Sequence, residues 1–227
     1  MTSLYTLLQL SDSLFPSGAF AHSYGLESLL SQCGRWDVAQ LQPMLAALWE
    51  HHLLRSDGLI ALHTHRAMLR GDINAVCELD RRLFAMKLTR ELRAASTDTG
   101  RSFVVEARST LANSAFDMLC TRVQTGDSPG TYAAMFAAAA AAADVNEQAM
   151  LLAWSYQSIA QLVAALLRLG VIGHRAAVCL VSGVRPLVEI RVRDVLACNL
   201  DDLSSFAPQL EIASMRHERQ YSRLFRS

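Results

Sequence analysis

The chain has 227 residues, of which 52% are hydrophobic and 19% charged, a composition that supports a sizeable core and excludes a disordered chain. Basic and acidic residues number 21 each, so the net charge of zero excludes a chain-wide field for nucleic acid or an anionic membrane. Only 11 glycines and 5 prolines interrupt the chain, which favours long helices over a many-stranded β fold.

Residues 7–30 predict a loop packed over the core, followed by a short helix from Ser23 to Leu30. Three aromatic side chains lie close together in this stretch: Phe15, Phe20 and Tyr24. Aromatic groups beside a flexible turn suit either core packing or a partner-binding surface, and the residues alone leave both open. The apolar start has no basic region and is interrupted by polar residues, so we expect no signal peptide.

The middle of the chain predicts helices separated by short breaks. Pro43 opens or kinks one helix, and Asp57–Gly58 is expected to break the chain before a second helix over residues 59–69. Gly71–Asp72 precedes a helix from Ile73 to about Met86. The next helix should begin near Lys87 or Thr89, while residues 101–111 also suit a strand because three large apolar residues follow one another there.

Two apolar stretches dominate the second half. Thr131–Ala143 contains seven consecutive alanines and predicts a helix with a close-packing surface. Residues 148–167 carry no formal charge and are long enough to cross a bilayer, but several polar side chains interrupt them. Six apolar residues share one helical stripe: Leu152, Tyr156, Ile159, Val163, Leu166 and Leu167. We therefore expect an amphipathic helix of a soluble protein, capped by Asp144 with Glu147 and ended at Gly170.

These elements predict one all-α domain over residues 1–227, a bundle of roughly ten helices. The two uncharged helices exceed what one chain of this size needs to bury, so we expect a homodimer with either helix at the contact. The five cysteines form no C-x-x-C pair, which indicates reduced thiols in the cytoplasm. Lys87 is the only lysine, and the sequence contains no P-loop, dinucleotide-binding, nucleophile-elbow or zinc-protease signature, so no enzyme is indicated.

Four residues form the only histidine cluster of the sequence: His51, His52, His63 and His65. Two antiparallel helices could bring them together, but their spacing is not that of a known metal site. We interpret them as partly exposed polar residues and assign no metal site.

The C-terminal segment, residues 205–227, predicts a helix that begins at Pro208. One side carries Leu210, Ser214, His217, Tyr221, Leu224 and Phe225, and another carries Arg216, Arg219, Arg223 and Arg226. The arginines could simply complement the negative end of the helix dipole, or they could dock carboxylates of a partner. Large apolar residues at the end of a segment predict a tail that is loosely held when free and ordered in a complex, so that removing residues 221–227 would leave the fold nearly intact.

Two segments closely resemble the urease accessory protein UreF family: residues 10–27 (LSDSLFPSGAFAHSYGLE) and residues 205–227 (SFAPQLEIASMRHERQYSRLFRS). Weaker matches are Glu91-Leu-Arg with Gly100-Arg101, and residues 165–177 (ALLRLGVIGHRAA). The family usually has glutamine where this chain has His174, so the resemblance implies no role for that side chain.

The resemblance implies an all-α, dimeric, cytoplasmic chaperone with no catalysis and no cofactor of its own. Its implied partners are UreD (UreH in some systems), the nickel-carrying GTPase UreG and apo-urease, with nickel handled by the complex. It favours partner-binding roles for residues 1–30 and 205–227. The implied binding residues are Phe20, Tyr24, Glu27, Arg216, His217, Tyr221, Arg223, Leu224, Phe225 and Arg226.

Two other functions remain open at this point. The chain could donate an arginine to UreG and so activate GTP hydrolysis, because it contains many arginines. It could instead carry nickel through the histidine cluster. A bridging chaperone without either activity is the function that the resemblance favours.

Overall fold

The computed structural model describes residues 2–33, 36–218 and 224–226, and within them the chain is all-α, as predicted. The α-helices are α1 (Thr2–Ser11), α2 (Leu26–Cys33), α3 (Val38–Leu48), α4 (Leu59–Leu69), α5 (Ile73–Met86), α6 (Arg90–Thr110), α7 (Ser114–Thr125), α8 (Tyr132–Ala142), α9 (Glu147–Arg168), α10 (His174–Val195) and α11 (Pro208–His217). A π-helix (Trp49–Gly58) joins α3 to α4, and short 3₁₀ turns lie at Ala19–Ala21 and Leu200–Asp202.

In the part of the chain that the structure describes, polar side chains cap five of the α-helices at the N-terminus, each accepting from the backbone N–H three residues on. The capping residues are Asp37, Asp72, Thr89, Asn113 and Asn146. The predicted starts of α5 and α6 are thereby confirmed. The predicted cap of α9 by Asp144 is wrong, because Asp144 lies in a left-handed turn (φ +56°) and Asn146 caps the helix instead.

The expected break at Asp57–Gly58 is also wrong. Gly58 has helical angles (φ −65°, ψ −42°), and one continuous helix runs from Val38 to Leu69. A Cβ atom at Gly58 would lie 2.9 Å from Leu54 Cδ1 and 3.0 Å from Trp154 Cζ3. Glycine is therefore present because α9 packs closely at this point, and not because the chain turns.

The alanine-rich helix α8 lies at the centre of the molecule. All residues from Tyr132 to Ala141 are buried, and α4 and α6 pack against the helix on two sides. A helix that is apolar all round must be enclosed, and alanine lets the neighbouring backbones approach closely. Because α8 is covered by its own chain, it cannot form the predicted subunit contact. Of the two helices that the sequence suggested for that contact, α9 is the remaining candidate.

Helix α9 buries only half of the predicted stripe, namely Ile159, Val163 and Leu166. Tyr156 is 59% exposed, whereas the polar residues Ser155 and Gln157 are buried. Burial of Gln157 is possible because its side chain accepts from the Tyr132 hydroxyl (2.9 Å) and donates to the Leu10 carbonyl (3.4 Å). By length and composition α9 could cross a bilayer, but more than half of its most apolar stretch is buried within this fold.

Helix α6 runs unbroken to Thr110, so residues 101–110 are helical, and the strand alternative is excluded. Phe103 and Val104 are buried in the core beside α8. The end of α5 is joined to the π-helix by an ion pair, in which Lys87 Nζ lies 2.8 and 3.0 Å from the two carboxylate oxygens of Asp57. Both side chains are almost fully buried, at 11% and 9% exposure.

Candidate functional site

Three helix ends meet where the two terminal segments come together. Glu27 lies in the first turn of α2, Glu91 lies in the first turn of α6, and His217 is the last residue of α11. Carboxylates are favoured at the positive N-terminal ends of helices, and an imidazole is favoured at a negative C-terminal end. Each carboxylate is therefore placed at the helix end that suits its charge, and the imidazole lies between them at the end of α11.

His217 connects the two carboxylates. Its Nε2 lies 2.9 Å from Glu27 Oε2, and its Nδ1 lies 2.9 Å from Glu91 Oε2. The His217 side chain is completely buried. Thr89 and Ser214 join α6 and α11 beside it through a 2.9 Å hydroxyl contact.

Glu27 also holds the end of the chain. Its carboxylate accepts from the backbone N–H of Leu224 (2.8 Å) and of Phe225 (3.1 Å). Burial acts to raise the pKa of Glu27, but these two hydrogen bonds and the contact with His217 outweigh it and lower the pKa below its ordinary value. We call Glu27, Glu91, His217, Leu224 and Phe225 the terminal junction.

The side chain of Phe225 is part of the core. It is 6% exposed, and the guanidinium of Arg168 lies 4.4 Å from its ring centroid. Arg168 also donates to the carbonyl of Phe20, and the N–H of Arg226 donates to the carbonyl of Ala21 (3.0 Å). The expectation of a loosely held tail is therefore wrong for residues 224–226, because these contacts dock them on the N-terminal segment.

The other predicted binding residues have different surroundings. Tyr24 is half-buried and its hydroxyl donates to Gln161 Oε1 (3.0 Å), while burial and the charge of Asp57 raise its pKa well above the ordinary value. The exposed members of the predicted set are Phe20, Arg216, Leu224 and Arg226. Tyr221 and Arg223 lie outside the described residues. A partner-binding role for any of these residues stays a prediction.

Known proteins are similar in sequence to this chain over almost its whole length. The family model described as UreF matches residues 36–185. The urease accessory protein UreF of Azorhizobium caulinodans is 32% identical over 213 residues, which is 94% of this chain and 90% of that protein. The UreF proteins of Chromohalobacter salexigens (33% over 225 residues, 99% and 95%) and Bacillus sp. strain TB-90 (29% over 227 residues, 100% of each) are similar.

The chain belongs to the UreF family of urease accessory proteins. Membership in the UreF family agrees with the two terminal segments that carried the resemblance. In the folded chain those segments bind each other, through Glu27 on one side and His217 with Leu224 and Phe225 on the other.

Local sequence patterns assign no role to two residues of this UreF-family site. Glu91 stands two positions after the capping residue Thr89, where an acidic residue in a first turn is ordinary, so its contact with His217 was not foreseeable. Arg168 is the last residue of α9, where a basic side chain is equally ordinary, although its guanidinium covers the ring of Phe225. Both contacts join residues more than 50 positions apart, which local patterns do not report.

The four clustered histidines do not form a site together. His52 Nδ1 lies 2.8 Å from Ser205 Oγ, and His65 Nε2 donates to the Val145 carbonyl (2.7 Å). Among the residues that the structure describes, no group of three or more His, Cys, Asp or Glu side chains is placed to hold a metal ion. In the terminal junction the carboxylates of Glu27 and Glu91 contact His217, and Glu27 also accepts from two backbone N–H groups, so its geometry is suited to holding the two chain ends and presenting the surface around them.

Proposed function

We propose that this chain is a non-catalytic cytoplasmic chaperone of urease maturation, which bridges the nickel-carrying GTPase UreG to UreD (or UreH) and apo-urease for nickel insertion. Family membership over nearly the full length supports the link to urease. The observation that carries the bridging role is a set of exposed apolar side chains with one arginine at the C-terminal helix.

We call this surface the C-terminal face and define it by Leu88, Ile212, Met215, Arg216 and Leu224. Ile212 and Met215 are three residues apart on the outer side of α11, and both are exposed. Leu88 precedes Thr89, which contacts α11 through Ser214, and Leu224 is held beside Glu27. Exposed large apolar side chains bordered by an arginine suit a partner groove with an acidic rim.

Capture of UreD by the purified chain tests the role of this face. The variant Met215→Asp with Leu224→Asp should keep its melting temperature, because both side chains are exposed, and should lose at least about tenfold in binding to UreD. Met118→Asp is a matched control, since Met118 on α7 is 59% exposed and Met215 is 51% exposed. Unchanged capture by the double variant, with the control also unchanged, would remove the C-terminal face from the proposal.

Two further assays on the purified chain distinguish the bridging role from activation of GTP hydrolysis and from nickel transport. A faster single-turnover hydrolysis of GTP by UreG in the presence of this chain would make it an activator instead. Nickel retained in equilibrium dialysis by the chain, and lost when His51, His52, His63 and His65 are replaced by alanine, would make it a carrier. We expect no nickel to be retained through this cluster, because His52 and His65 are buried and bonded within the fold. A chain that only bridges its partners leaves the rate of GTP hydrolysis unchanged.

The proposal includes a homodimer with α9 at the contact. The outward side of α9 carries Leu152, Tyr156, Ala160 and Ala164, and it bears no formal charge over these positions. A stable contact of standard size buries about 1,200–2,000 Å² in total, which requires neighbouring elements as well as this helix. We expect a dimer mass in sedimentation and a monomer mass for Tyr156→Arg with an unchanged melting temperature. A monomer mass for the unaltered chain would refute the dimer.

A further inference from the structure

A second apolar surface lies far along the chain from the C-terminal face. Helix α1 packs its buried leucines against α9, and its outer side exposes Leu4, Tyr5 and Leu8, which lie within about 100° of one another around the helix. Leu14, in the turn that follows, is 89% exposed. A groove of about 480 Å³ runs between α1, this turn and the C-terminal half of α6.

The charged groups along this groove are acidic. Its lining includes Asp12 at one side and Glu106 at the other. Asp12 Oδ1 accepts from the N–H of Leu14 (2.7 Å), and neither carboxylate forms an ion pair with any residue that the structure describes. The nearest arginines of α6 are directed elsewhere, Arg108 to Asp117 (3.0 Å) and Arg101 to the Pro129 carbonyl (2.9 Å).

From this geometry we infer that the groove docks an amphipathic helix with basic flanking residues, supplied by a partner protein. The inference rests on the proposed bridging function and specifies the chemistry of one partner. A groove between two helices with an apolar floor takes the leucine-like side chains that a helix presents at spacings of three and four residues. The carboxylates of Asp12 and Glu106 complement arginine or lysine and disfavour an anionic lipid surface.

The sign of the charge also separates this partner from the one at the C-terminal face. That face carries Arg216 beside its apolar residues, whereas the groove carries two carboxylates. One partner surface with a single charge pattern does not suit both. The bridging protein therefore has two docking surfaces of opposite charge, one at each terminal segment.

Two synthetic helical peptides of about four turns test the inference by titration calorimetry on the full chain. The peptides share their leucine positions, and one is flanked by arginines and the other by glutamates. We expect the basic peptide to bind at least about tenfold more tightly at low salt, and added salt to reduce the difference. Leu8→Ser should abolish binding, and Asp12→Asn with Glu106→Gln should remove the preference for the basic peptide. The amide oxygen introduced by Asp12→Asn would still accept from the Leu14 N–H, so the turn is preserved.

Glu78→Gln with Asp201→Asn is the matched control, because both carboxylates are exposed and lie outside the groove. Equal binding of the two peptides, no binding of either, or a preference that survives in the Asp12 and Glu106 variant would overturn the inference. Conversion of a dimer to a monomer by Leu8→Ser would also overturn it, by assigning the groove to a second copy of this chain. The proposed function is tested separately, by UreD capture with the C-terminal face variants, and unchanged capture by the double variant would count against it. The two assays share no variant and no ligand.

Discussion

At the scale of single residues, His52 shows how the fold controls a charge. Its ring is buried between the π-helix and the segment that leads to α11, with Nδ1 2.8 Å from Ser205 Oγ. Burial and the nearby ammonium of Lys87 lower the pKa of His52 to about 4, although Asp57 acts in the opposite direction. His52 is therefore neutral in the folded chain over the range in which an unfolded histidine takes up a proton.

This difference predicts that the free energy of unfolding falls as the pH is lowered from about 7 to about 4. As the pH falls, the unfolded chain binds the proton first, at a pKa near 6.5. The stability is therefore fully present at pH values above about 6.5 and is lost as the pH falls to the folded pKa of about 4. The contribution of His52 is of the order of 3 kcal/mol. Denaturant unfolding at several pH values measures it, and His52→Asn should make the dependence shallower.

The buried histidines His22 and His65 and the half-buried His63 also have lowered pKa values, so part of the pH dependence should remain in the variant. His51→Asn is the control, because His51 is exposed on the same helix. An identical slope for His52→Asn and the unaltered chain would contradict the assignment.

At the scale of elements, the close packing around α8 depends on one glycine of α6. Gly100 faces the loop before α8, where a Cβ atom would collide with the carbonyl oxygen of Gly130 and lie 2.7 Å from the N–H nitrogen of Tyr132. That loop cannot move freely, because the buried carboxylate of Asp80 accepts from Ser128, from the N–H of Gly130 and from both the N–H and the hydroxyl of Thr131.

Gly100→Ala should therefore destabilise the fold, although alanine is the better helix former. Overpacking against fixed backbone typically costs about 1–3 kcal/mol or more. Gly173→Ala is a comparison at an open position, since a Cβ atom at Gly173 meets nothing within 4 Å and its φ is −93°. Gly173 is the N-cap of α10, where alanine is less favourable than glycine, so this variant should lose only the capping preference. Thermal unfolding of both variants and of the unaltered chain decides the point, and a Gly100→Ala chain that melts with the unaltered chain would show that the loop gives way.

The helices were largely predictable from the sequence, because capping residues and one-sided burial leave local patterns. The starts at Asp72 and Thr89 and the long α9 follow from such patterns. The role of Gly58 could not be predicted from the local sequence, because glycine is needed there by the close approach of the Trp154 ring, almost one hundred positions away. The same holds for the site: Glu27 and His217 are both predictable as candidates, but that they bind each other across 190 positions is a property of the folded chain alone.

At the scale of the whole molecule, the terminal junction closes the chain on itself. Helices α2, α6 and α11 contribute Glu27, Glu91 and His217, and the docked tail contributes Phe225 and two backbone donors to Glu27. Removing residues 221–227 would open this junction and expose the space that Phe225 fills.

We therefore expect truncation after residue 220 to lower stability, contrary to the expectation from sequence. Loss of a buried phenylalanine side chain costs about 3–5 kcal/mol, and Glu27 would also lose two hydrogen-bond donors. Thermal unfolding measures the effect. Leu224→Ala is the control, because that side chain is exposed and its backbone donor is kept. A truncated chain that melts with the full-length protein would show that the docked tail adds nothing to the fold.

The burial of Lys87 affects how the assemblies of this protein can be studied. The sequence has a single lysine, whose side chain is 11% exposed and whose ammonium group is paired with Asp57. Reagents that acylate side-chain amines therefore have almost no target on the folded chain, and crosslinking through lysine would miss its contacts even in an intact complex. Carboxyl- or arginine-directed crosslinkers reach Glu106 in the groove and Arg216 on the C-terminal face, and they are the reagents that would map both surfaces in one experiment.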